Sequence, residues 1–324
     1  MSNTVYVIGA GFSKGIGLPA SKDFVSSESF QYLKEKLNDD SESITKIQNL
    51  ENYVKFRLEN NYCDDNIESV LNHVATAKYL YMDSMTEKSG YSADDIFGDL
   101  CWYIARLIKE KTDDIAKIPD EYNTFVKTVY ENKDSLVTFN YDLILEAVLS
   151  NLEHEYDYGV SEKTNDDSQL ILKLHGSLNW GLCEKCGPVD IYDHILTFEK
   201  DSAISCPLCS NEIISPLLVP PVIYKDSYYN EQPLVRDSWS LANEQLSAAK
   251  KIVFIGFSMA QDAYVAELFK LSLNMNSHEN LKCVVVNRTC GDILRGRYDS
   301  VLVNVEPPEY VESTFIEYVQ NYMN

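Results

Sequence analysis

Short apolar runs recur along this chain, and segments of a different pattern separate them. Runs of five or six residues, bounded by glycine, proline or polar residues, predict buried strands. They occupy residues 4–9, 135–139, 169–174, 214–219, 251–255, 282–286 and 301–305. Apolar residues at helical spacing fill residues 143–149, 234–249 and 310–322, and a further helix is expected to run from a cap at Asp262 to Leu273. Strands that alternate with helices predict an α/β fold with a doubly wound, mostly parallel, Rossmann-like sheet.

The segment between the first two predicted strands breaks this alternation. Apolar residues recur there at helical spacing, as in the group Ile67, Val70, Leu71 and Val74, and no strand pattern interrupts them. We therefore predict three parts. A Rossmann-like domain comprises residues 1–24, 131–182 and 214–324, a helical insertion comprises residues 25–130, and a small cysteine-bearing module comprises residues 183–213.

Charge and hydropathy limit the partners. The 324 residues include 50 acidic and 28 basic side chains, a formal net charge of −22. Such a surface should repel nucleic acid and anionic membranes, although solubility alone also accounts for an acidic surface. No apolar run approaches the length of about 18 residues that spans a bilayer, and no secretory leader is visible after Met1. We expect a cytoplasmic protein that binds neither membranes nor nucleic acid directly.

A glycine-rich turn follows the first predicted strand, with the spacing G-x-G-x-x-x-G from Gly9 to Gly15. Glycines between a strand and a helix let a phosphate approach the backbone, so this turn predicts a nucleotide site; a plain strand-to-helix turn is the alternative. The turn residues are Gly9, Ala10, Gly11, Phe12 and Ser13. A dehydrogenase would place a second strand, ending in Asp or Glu, about 20 residues later. Asp23 and Glu28 follow no strand, which argues against hydride transfer.

Two C-x-x-C pairs lie 19 residues apart, Cys183 with Cys186 and Cys206 with Cys209. Four thiolates at this spacing are typical of a tetrahedral zinc site without an open position, which makes the predicted zinc structural. An iron–sulfur site and redox-active thiol pairs are the alternatives. The segment around the pairs is too polar to bury much core, so a metal would stabilise it.

Polar residues follow several of the predicted strands. They are Asn140 and Asp142, His175, Ser258, and Asn287. Ligands of open α/β sheets bind at the carboxyl ends of the strands, so these residues and the glycine turn predict one site. Each residue alone has a local explanation, as a helix cap, a turn residue or a core histidine.

The order of these motifs resembles the sirtuin family. The matching stretches are Gly9–Ser13, Thr138–Asp142, Lys173–Ser177, the two cysteine pairs, Gly256–Ser258 and Asn287. The Asn-Tyr-Asp form, the Pro216–Pro221 segment and Trp239 resemble the prokaryotic sirtuin-like proteins, many of which are NAD hydrolases in antiphage defence. The Asp-Phe-Arg and Phe-Gly-Glu motifs of the deacylases are missing, which argues against an acyl-lysine groove.

The resemblance implies roles for the individual residues. The turn Gly9, Ala10, Gly11, Phe12 and Ser13 would bind the NAD+ pyrophosphate and border the nicotinamide pocket, and Gly256, Ser258 and Asn287 would line the adenosine half. Asn140 would orient the nicotinamide ribose and the attacking water, Asp142 would support nicotinamide recognition, and His175 would be the general base.

The implied activity is cleavage of NAD+ to nicotinamide and ADP-ribose. By analogy, we expect it to be restrained until a trigger acts, in a homo-oligomer or with an ATPase-type or nucleic-acid-sensing partner protein. The alternatives are an NAD-dependent protein deacylase and a sensor that binds NAD or ADP-ribose without turnover.

Overall fold

The computed structural model of this protein describes residues 3–80, 92–159, 167–198, 204–210, 214–220, 222, 232–259, 263–276, 281–303 and 305–323. The chain divides into two compact units. The first comprises Met1–Gly17, Lys117–Ser177 and Tyr228–Asn324, and the second comprises Leu18–Ala116 and Leu178–Ser227. The three-part division expected from the sequence stays a prediction.

The described strands, in chain order, are β1 (Thr4–Ile8), β2 (Ser135–Thr138), β3 (Tyr156–Asp157), β4 (Gln169–Lys173), β5 (Gly176–Cys183), β6 (Gly187–Ile191), β7 (Ser215–Leu218), β8 (Lys251–Ile255), β9 (Lys282–Asn287) and β10 (Glu309–Glu312). The described α-helices are α1 (Ala10–Lys14), α2 (Ser27–Lys36), α3 (Ser41–Glu59), α4 (Ile67–Tyr79), α5 (Ala93–Asp113), α6 (Asp120–Asn132), α7 (Ile144–Asn151), α8 (Pro233–Ala248), α9 (Ala263–Met275), α10 (Asp292–Val301) and α11 (Phe315–Tyr322).

A parallel sheet forms the centre of the first unit. Within the described residues it has seven strands in the order β10-β9-β8-β1-β2-β4-β3. β1 is buried along its whole length and pairs in parallel with β2 and β8, with Val5 opposite Ser135 and Ile252. An unbroken apolar run such as Thr4–Ile8 suits a strand that is covered on both faces. The predicted α/β fold with a parallel sheet is confirmed.

Aromatic packing joins the beginning of the chain to its end within this unit. The Phe12 ring lies 4.9 Å from the Tyr122 ring and 4.5 Å from the Phe315 ring, measured between centroids. The Tyr122 hydroxyl also donates a 2.5 Å hydrogen bond to the carbonyl oxygen of Phe12. These contacts fix α1 against α6 and α11.

The second unit contains the helices α2 to α5. Side chains cap several of them: Asp40 accepts from the first turn of α3, Asn66 accepts from Ser69 in α4, and Ser92 forms a capping box with Asp95 in α5. Such caps satisfy amides that have no partner inside the helix. Helices are therefore confirmed for most of the segment after β1, but α6 lies in the first unit.

The end of the chain differs from the sequence prediction. The strand predicted at residues 301–305 is wrong where the structure describes it, since Val301 is the last residue of α10 and residues 302, 303 and 305 belong to no strand, while residue 304 lies outside the described residues. The last described strand is β10, which overlaps the start of the stretch predicted as helix, and α11 begins only at Phe315. The capping box of Thr314 with Glu317 sets this start, since it satisfies the first-turn amides. The predicted cap Asp262 lies outside the described residues.

The sequence prediction also omitted β3, β5, β6 and α10, which are short or contain polar residues. In the described residues, β6, β5 and β7 form a separate three-stranded sheet, and β5 pairs with β6 in antiparallel fashion. None of the described helices combines the length and the apolar character needed to cross a bilayer.

Candidate active site

Several of the predicted site residues lie at the carboxyl ends of β1, β2 and β4. β1 leads into Gly9, β2 leads into Asn140, and β4 leads into His175. The strands are parallel neighbours, so their ends meet at one edge of the sheet, which we call the carboxyl edge. This is the edge at which open α/β sheets bind ligands.

Glycines allow two segments of this edge to touch through their backbones. A Cβ atom on Gly11 would lie 2.6 Å from the Cα of Gly256, closer than atoms can approach. Gly256 has φ +59°, which favours glycine. The N–H of Gly11 donates to the carbonyl oxygen of Gly256 at 2.9 Å, and the N–H of Gly9 donates to that of Ile255 at 3.0 Å. These glycines therefore serve the close contact between α1 and the end of β8.

The predicted phosphate turn is short, because α1 begins at Ala10, directly after Gly9. The N–H of Phe12 donates to the carbonyl oxygen of Gly9 at 3.0 Å. The amides of Gly9, Gly11 and Phe12 thus have partners inside the protein. The Phe12 side chain is 1% exposed and packs in the aromatic core, so other side chains of the protein cover its ring. Binding of NAD+ by this turn stays a prediction.

Asn140, Ser13 and Asp142 form one hydrogen-bonded chain. The Asn140 side-chain amide donates to the carbonyl oxygen of Gly9 and to Ser13 Oγ, both at 3.1 Å. Ser13 Oγ donates to Asp142 Oδ2 at 2.8 Å, and Asp142 Oδ1 accepts from the backbone N–H of Ile144 at 3.1 Å. The predicted residues of two separate sequence motifs therefore lie in direct contact. Both Asn140 amide hydrogens have acceptors, which fixes the orientation of its side-chain oxygen.

His175 follows β4 and is 8% exposed. The edge of its ring contacts Phe139, with 5.2 Å between ring centroids, and Tyr141 lies 6.3 Å away. The preceding residue is fixed at both backbone groups: the Leu174 N–H donates to Thr138 O at 3.0 Å, and its carbonyl accepts from Trp239 Nε1 at 2.7 Å. His175 therefore has a defined position beside the loop that follows β2.

The remaining predicted residues lie at the carboxyl ends of β8 and β9, where Asn287 is the last residue of β9. The Asn287 side-chain amide donates to the carbonyl oxygen of Phe257 at 3.2 Å, and Tyr298 Oη donates to the same oxygen at 2.8 Å. The Ser258 carbonyl accepts from Arg297 at 3.3 Å. Asn287 thus bridges the two strand ends, and a role in binding adenosine stays a prediction.

Burial raises the pKa of the Asp142 carboxyl above its usual range, while Lys173 and the hydroxyl of Ser13 act in the opposite direction. A raised native pKa means that the folded state binds this proton more tightly than the unfolded state. The contribution of the carboxyl to stability is therefore complete below the ordinary pKa, near 4, and is lost as the pH rises through the native pKa.

We expect Asp142→Asn to change the pH dependence of stability. The amide mimics the protonated carboxyl, so the free energy of unfolding of the variant should rise relative to wild type as the pH increases from about 4 to about 8. Urea unfolding across this range measures the difference. Asp65→Asn is the control of opposite sign, and its effect is measured below about pH 4, because a hydrogen bond from Lys22 lowers the pKa of Asp65 and its contribution to stability is lost as the pH falls. A difference for Asp142→Asn that does not vary with pH would contradict the expectation.

The sequence analysis missed Lys173 and Glu146 as site residues. The Lys173 ammonium donates to the carbonyl oxygen of Asp142 at 2.6 Å and to Glu146 Oε1 at 2.9 Å. Both are charged residues next to apolar ones: Lys173 follows Leu172 in the strand Gln169–Lys173, and Glu146 follows Leu145 in the helix Ile144–Asn151. That pattern is a usable signal, since a buried charge requires a partner.

The four cysteines come together in the second unit. In the described part of the chain, the sulfur atoms of Cys183, Cys186, Cys206 and Cys209 all lie within 4.8 Å of one another. The Sγ atoms of Cys183 and Cys209 are 3.9 Å apart. Tetrahedral zinc with Zn–S bonds of about 2.3 Å separates its sulfurs by about 3.8 Å. The donor set and its spacing therefore fit zinc.

A protein-family comparison matches residues 134–289 to the SIR2-like domain. The solved structures that resemble this chain include Sir2Tm bound to a propionylated peptide, with a TM-score of 0.50. They also include Sir2 bound to acetylated peptide, with a TM-score of 0.52, and Sir2 with p53 peptide and NAD+, with a TM-score of 0.51. Each is 16% identical, and each alignment covers 99% of this chain and 91% of the other. The fold is sirtuin-like.

A curated relative supports the sirtuin-like fold from sequence. It is the NAD-dependent protein deacetylase 1 of Pyrobaculum aerophilum, which is 28% identical over 142 residues. That alignment covers 42% of this chain and half the length of the relative. The resemblance stated from the motifs is thus confirmed at the level of the sirtuin-like fold and the SIR2-like domain.

Proposed function

We propose that this protein hydrolyses NAD+ to nicotinamide and ADP-ribose. The observation that carries the proposal is the hydrogen-bonded chain of Asn140, Ser13 and Asp142. This chain lies at the carboxyl edge of the sheet, where His175 follows β4. An amide, a carboxyl and an imidazole supply what this cleavage requires. The amide orients the ribose, the carboxyl recognises nicotinamide, and the imidazole accepts a proton.

The reaction needs no electron acceptor, because the leaving group already carries positive charge. The bond between C1′ of the nicotinamide ribose and the pyridinium nitrogen breaks, and its electron pair stays on that nitrogen. A water oxygen bonds to C1′, and the water proton passes to His175 and then to solvent. Asn140 orients the ribose and this water, while Asp142 contacts nicotinamide. Gly9 to Ser13 would border the pyrophosphate, and Gly256, Ser258 and Asn287 would line the adenosine half.

We further propose that the four cysteines bind one structural zinc ion. The support is their spacing in sequence together with the close approach of their sulfurs. Such an ion supplies cross-linking rather than chemistry, because four protein ligands leave no open position. Buried Cys183 and Cys206 pack with Leu196 and Ile214 in a small cluster that has little apolar surface of its own.

The cellular role that we propose is that of a regulated effector in prokaryotic antiphage defence. Uncontrolled loss of NAD+ would kill the host cell, so we expect the activity to be restrained to a slow basal rate until a trigger acts, and this basal rate is the one that the purified protein should show. A homo-oligomer, or an ATPase-type or nucleic-acid-sensing partner, would apply this control. This part of the proposal is an analogy with sirtuin-like proteins of prokaryotes.

NAD-dependent deacylation is the second candidate. The curated relative is named an NAD-dependent protein deacetylase, and its alignment covers 42% of this chain. In that reaction an acyl-lysine peptide, rather than water, would attack C1′. The two candidates therefore differ in their requirement for the peptide.

Incubation of the purified protein with NAD+, with and without acetyl-lysine peptide, distinguishes them. Hydrolysis predicts equal release of nicotinamide in both arms, with ADP-ribose as the second product. Release only in the presence of peptide, with an acylated ADP-ribose product, would replace hydrolysis by deacylation. Binding of NAD+ without nicotinamide release in either arm would overturn both and favour a sensor.

A further inference from the structure

A buried ion pair between Lys173 and Glu146 contacts the loop that carries Asp142. The Lys173 ammonium is 2.9 Å from Glu146 Oε1, and the two side chains are 1% and 5% exposed. Tyr158 Oη donates to the same Glu146 oxygen at 2.9 Å. Glu146 Oε2 is buried and has no hydrogen-bond partner among the described residues. The pair is therefore only partly satisfied, which makes it a costly feature of the core.

The position of Lys173 connects two parts of the site. Lys173 is the last residue of β4, two residues before His175. Its ammonium also donates to the backbone carbonyl of Asp142, at 2.6 Å. Asp142 lies in the loop after β2, and its side chain accepts from Ser13. One buried side chain thus links the strand that carries His175 to the loop that carries Asn140 and Asp142.

Stability alone does not account for this arrangement. Apolar residues of similar volume often replace a buried ion pair without loss of stability. An apolar side chain at position 173 would fill the same space, but it would not donate a hydrogen bond to the Asp142 carbonyl. Glu146 neutralises the charge that this donor brings into the core, and Tyr158 fixes the Glu146 carboxylate.

We propose that Lys173 is a positioning residue for the reaction, which fixes the loop carrying Asp142 at a set distance from His175. This proposal rests on the proposed function, because it assigns the purpose of the link to cleavage of NAD+. Lys173 acts through Asp142 and does not itself contact the substrate.

The triple variant Lys173→Met, Glu146→Leu and Tyr158→Phe tests this role. It removes the three polar side chains of the network and leaves apolar side chains of similar volume, so we expect a melting temperature close to that of wild type. Nicotinamide release should nevertheless fall about 10²-fold, because small displacements of positioning groups cost this much in rate. Lys251→Met is the matched control. It removes a lysine from the first residue of β8, at the edge of the sheet opposite the carboxyl edge, and should leave the rate unchanged.

Two further measurements separate positioning from general damage. Because Asp142 is assigned to the nicotinamide half, the triple variant should bind NAD+ about tenfold more weakly but should bind ADP-ribose as wild type does. Amide hydrogen exchange should accelerate at residues 140–143 and stay unchanged in β1.

The outcomes decide between the proposals. The positioning role would be overturned, and hydrolysis would stand, if the folded triple variant behaved as wild type in all three measurements. These are the rate of nicotinamide release, the ratio of the affinities for NAD+ and ADP-ribose, and amide exchange at residues 140–143. Wild-type protein that binds NAD+ without cleaving it would overturn hydrolysis. The ratio of the affinities for NAD+ and ADP-ribose, and amide exchange at residues 140–143, would then still test whether Lys173 fixes the loop that carries Asp142. Equal loss of affinity for NAD+ and ADP-ribose would show a structural role and overturn positioning.

Discussion

Replacement of Asn140 by aspartate should lower nicotinamide release from NAD+ by about 10²-fold or more. The Asn140 side-chain amide donates to the carbonyl oxygen of Gly9 and to Ser13 Oγ. A carboxylate at this position would face the Gly9 carbonyl oxygen without a hydrogen to offer, and it would add negative charge beside Asp142. The side chain would turn away, and the ribose and the attacking water would lose their orienting group. Single-turnover assays with NAD+ measure the loss.

Asn276 provides the matched control for this substitution. Its side-chain amide likewise donates to two acceptors, here the backbone carbonyls of Leu246 at 3.0 Å and Ala249 at 2.9 Å, but it lies beyond the end of α9 and away from the carboxyl edge. Asn276→Asp should therefore destabilise the fold to a similar extent and leave the rate per folded molecule unchanged. A similar loss of rate in both variants would show that Asn140 acts only through stability.

Removal of the proposed zinc should unfold the cysteine-bearing segment. Structural zinc in small modules contributes about 10–16 kcal/mol of apparent binding free energy near neutral pH. Neither Leu196 nor Ile214, which pack with the buried ligands, offers enough apolar surface to replace that contribution. We expect wild type to contain about one zinc per chain and Cys206→Ser to contain much less, with rapid hydrogen exchange in β5 and β6. Elemental analysis and exchange measurements test both statements.

Cys283 is the matched control for the loss of a thiol. It lies in β9, 5% exposed, and burial raises the pKa of its thiol to about 12, so it stays protonated at neutral pH. Cys283→Ala should keep the full zinc content. A chain that contains no zinc while β5 and β6 keep slow exchange would contradict the proposed zinc site.

The apolar runs predicted the strands of the central sheet because a strand that is covered on both faces needs an unbroken run of apolar, often β-branched, residues. β1 and β8 illustrate this, since each is buried almost throughout. The prediction was wrong at the end of the chain, where only Val311 of β10 is buried and the strand pairs only with β9 in the described sheet. An edge strand of this kind is stabilised by its neighbour rather than by its own composition.

By itself, the sequence determined the α/β class, the order of the motifs and the grouping of four cysteines into two C-x-x-C pairs, because these depend on local periodicity and spacing. It also indicated that Asn140, Asp142 and His175 share one edge of a parallel sheet. Only the tertiary structure decided that the glycines of the first turn serve a backbone contact with Gly256, and that the Phe12 ring belongs to the core. Such outcomes depend on contacts between segments far apart in the chain, and local patterns do not encode them.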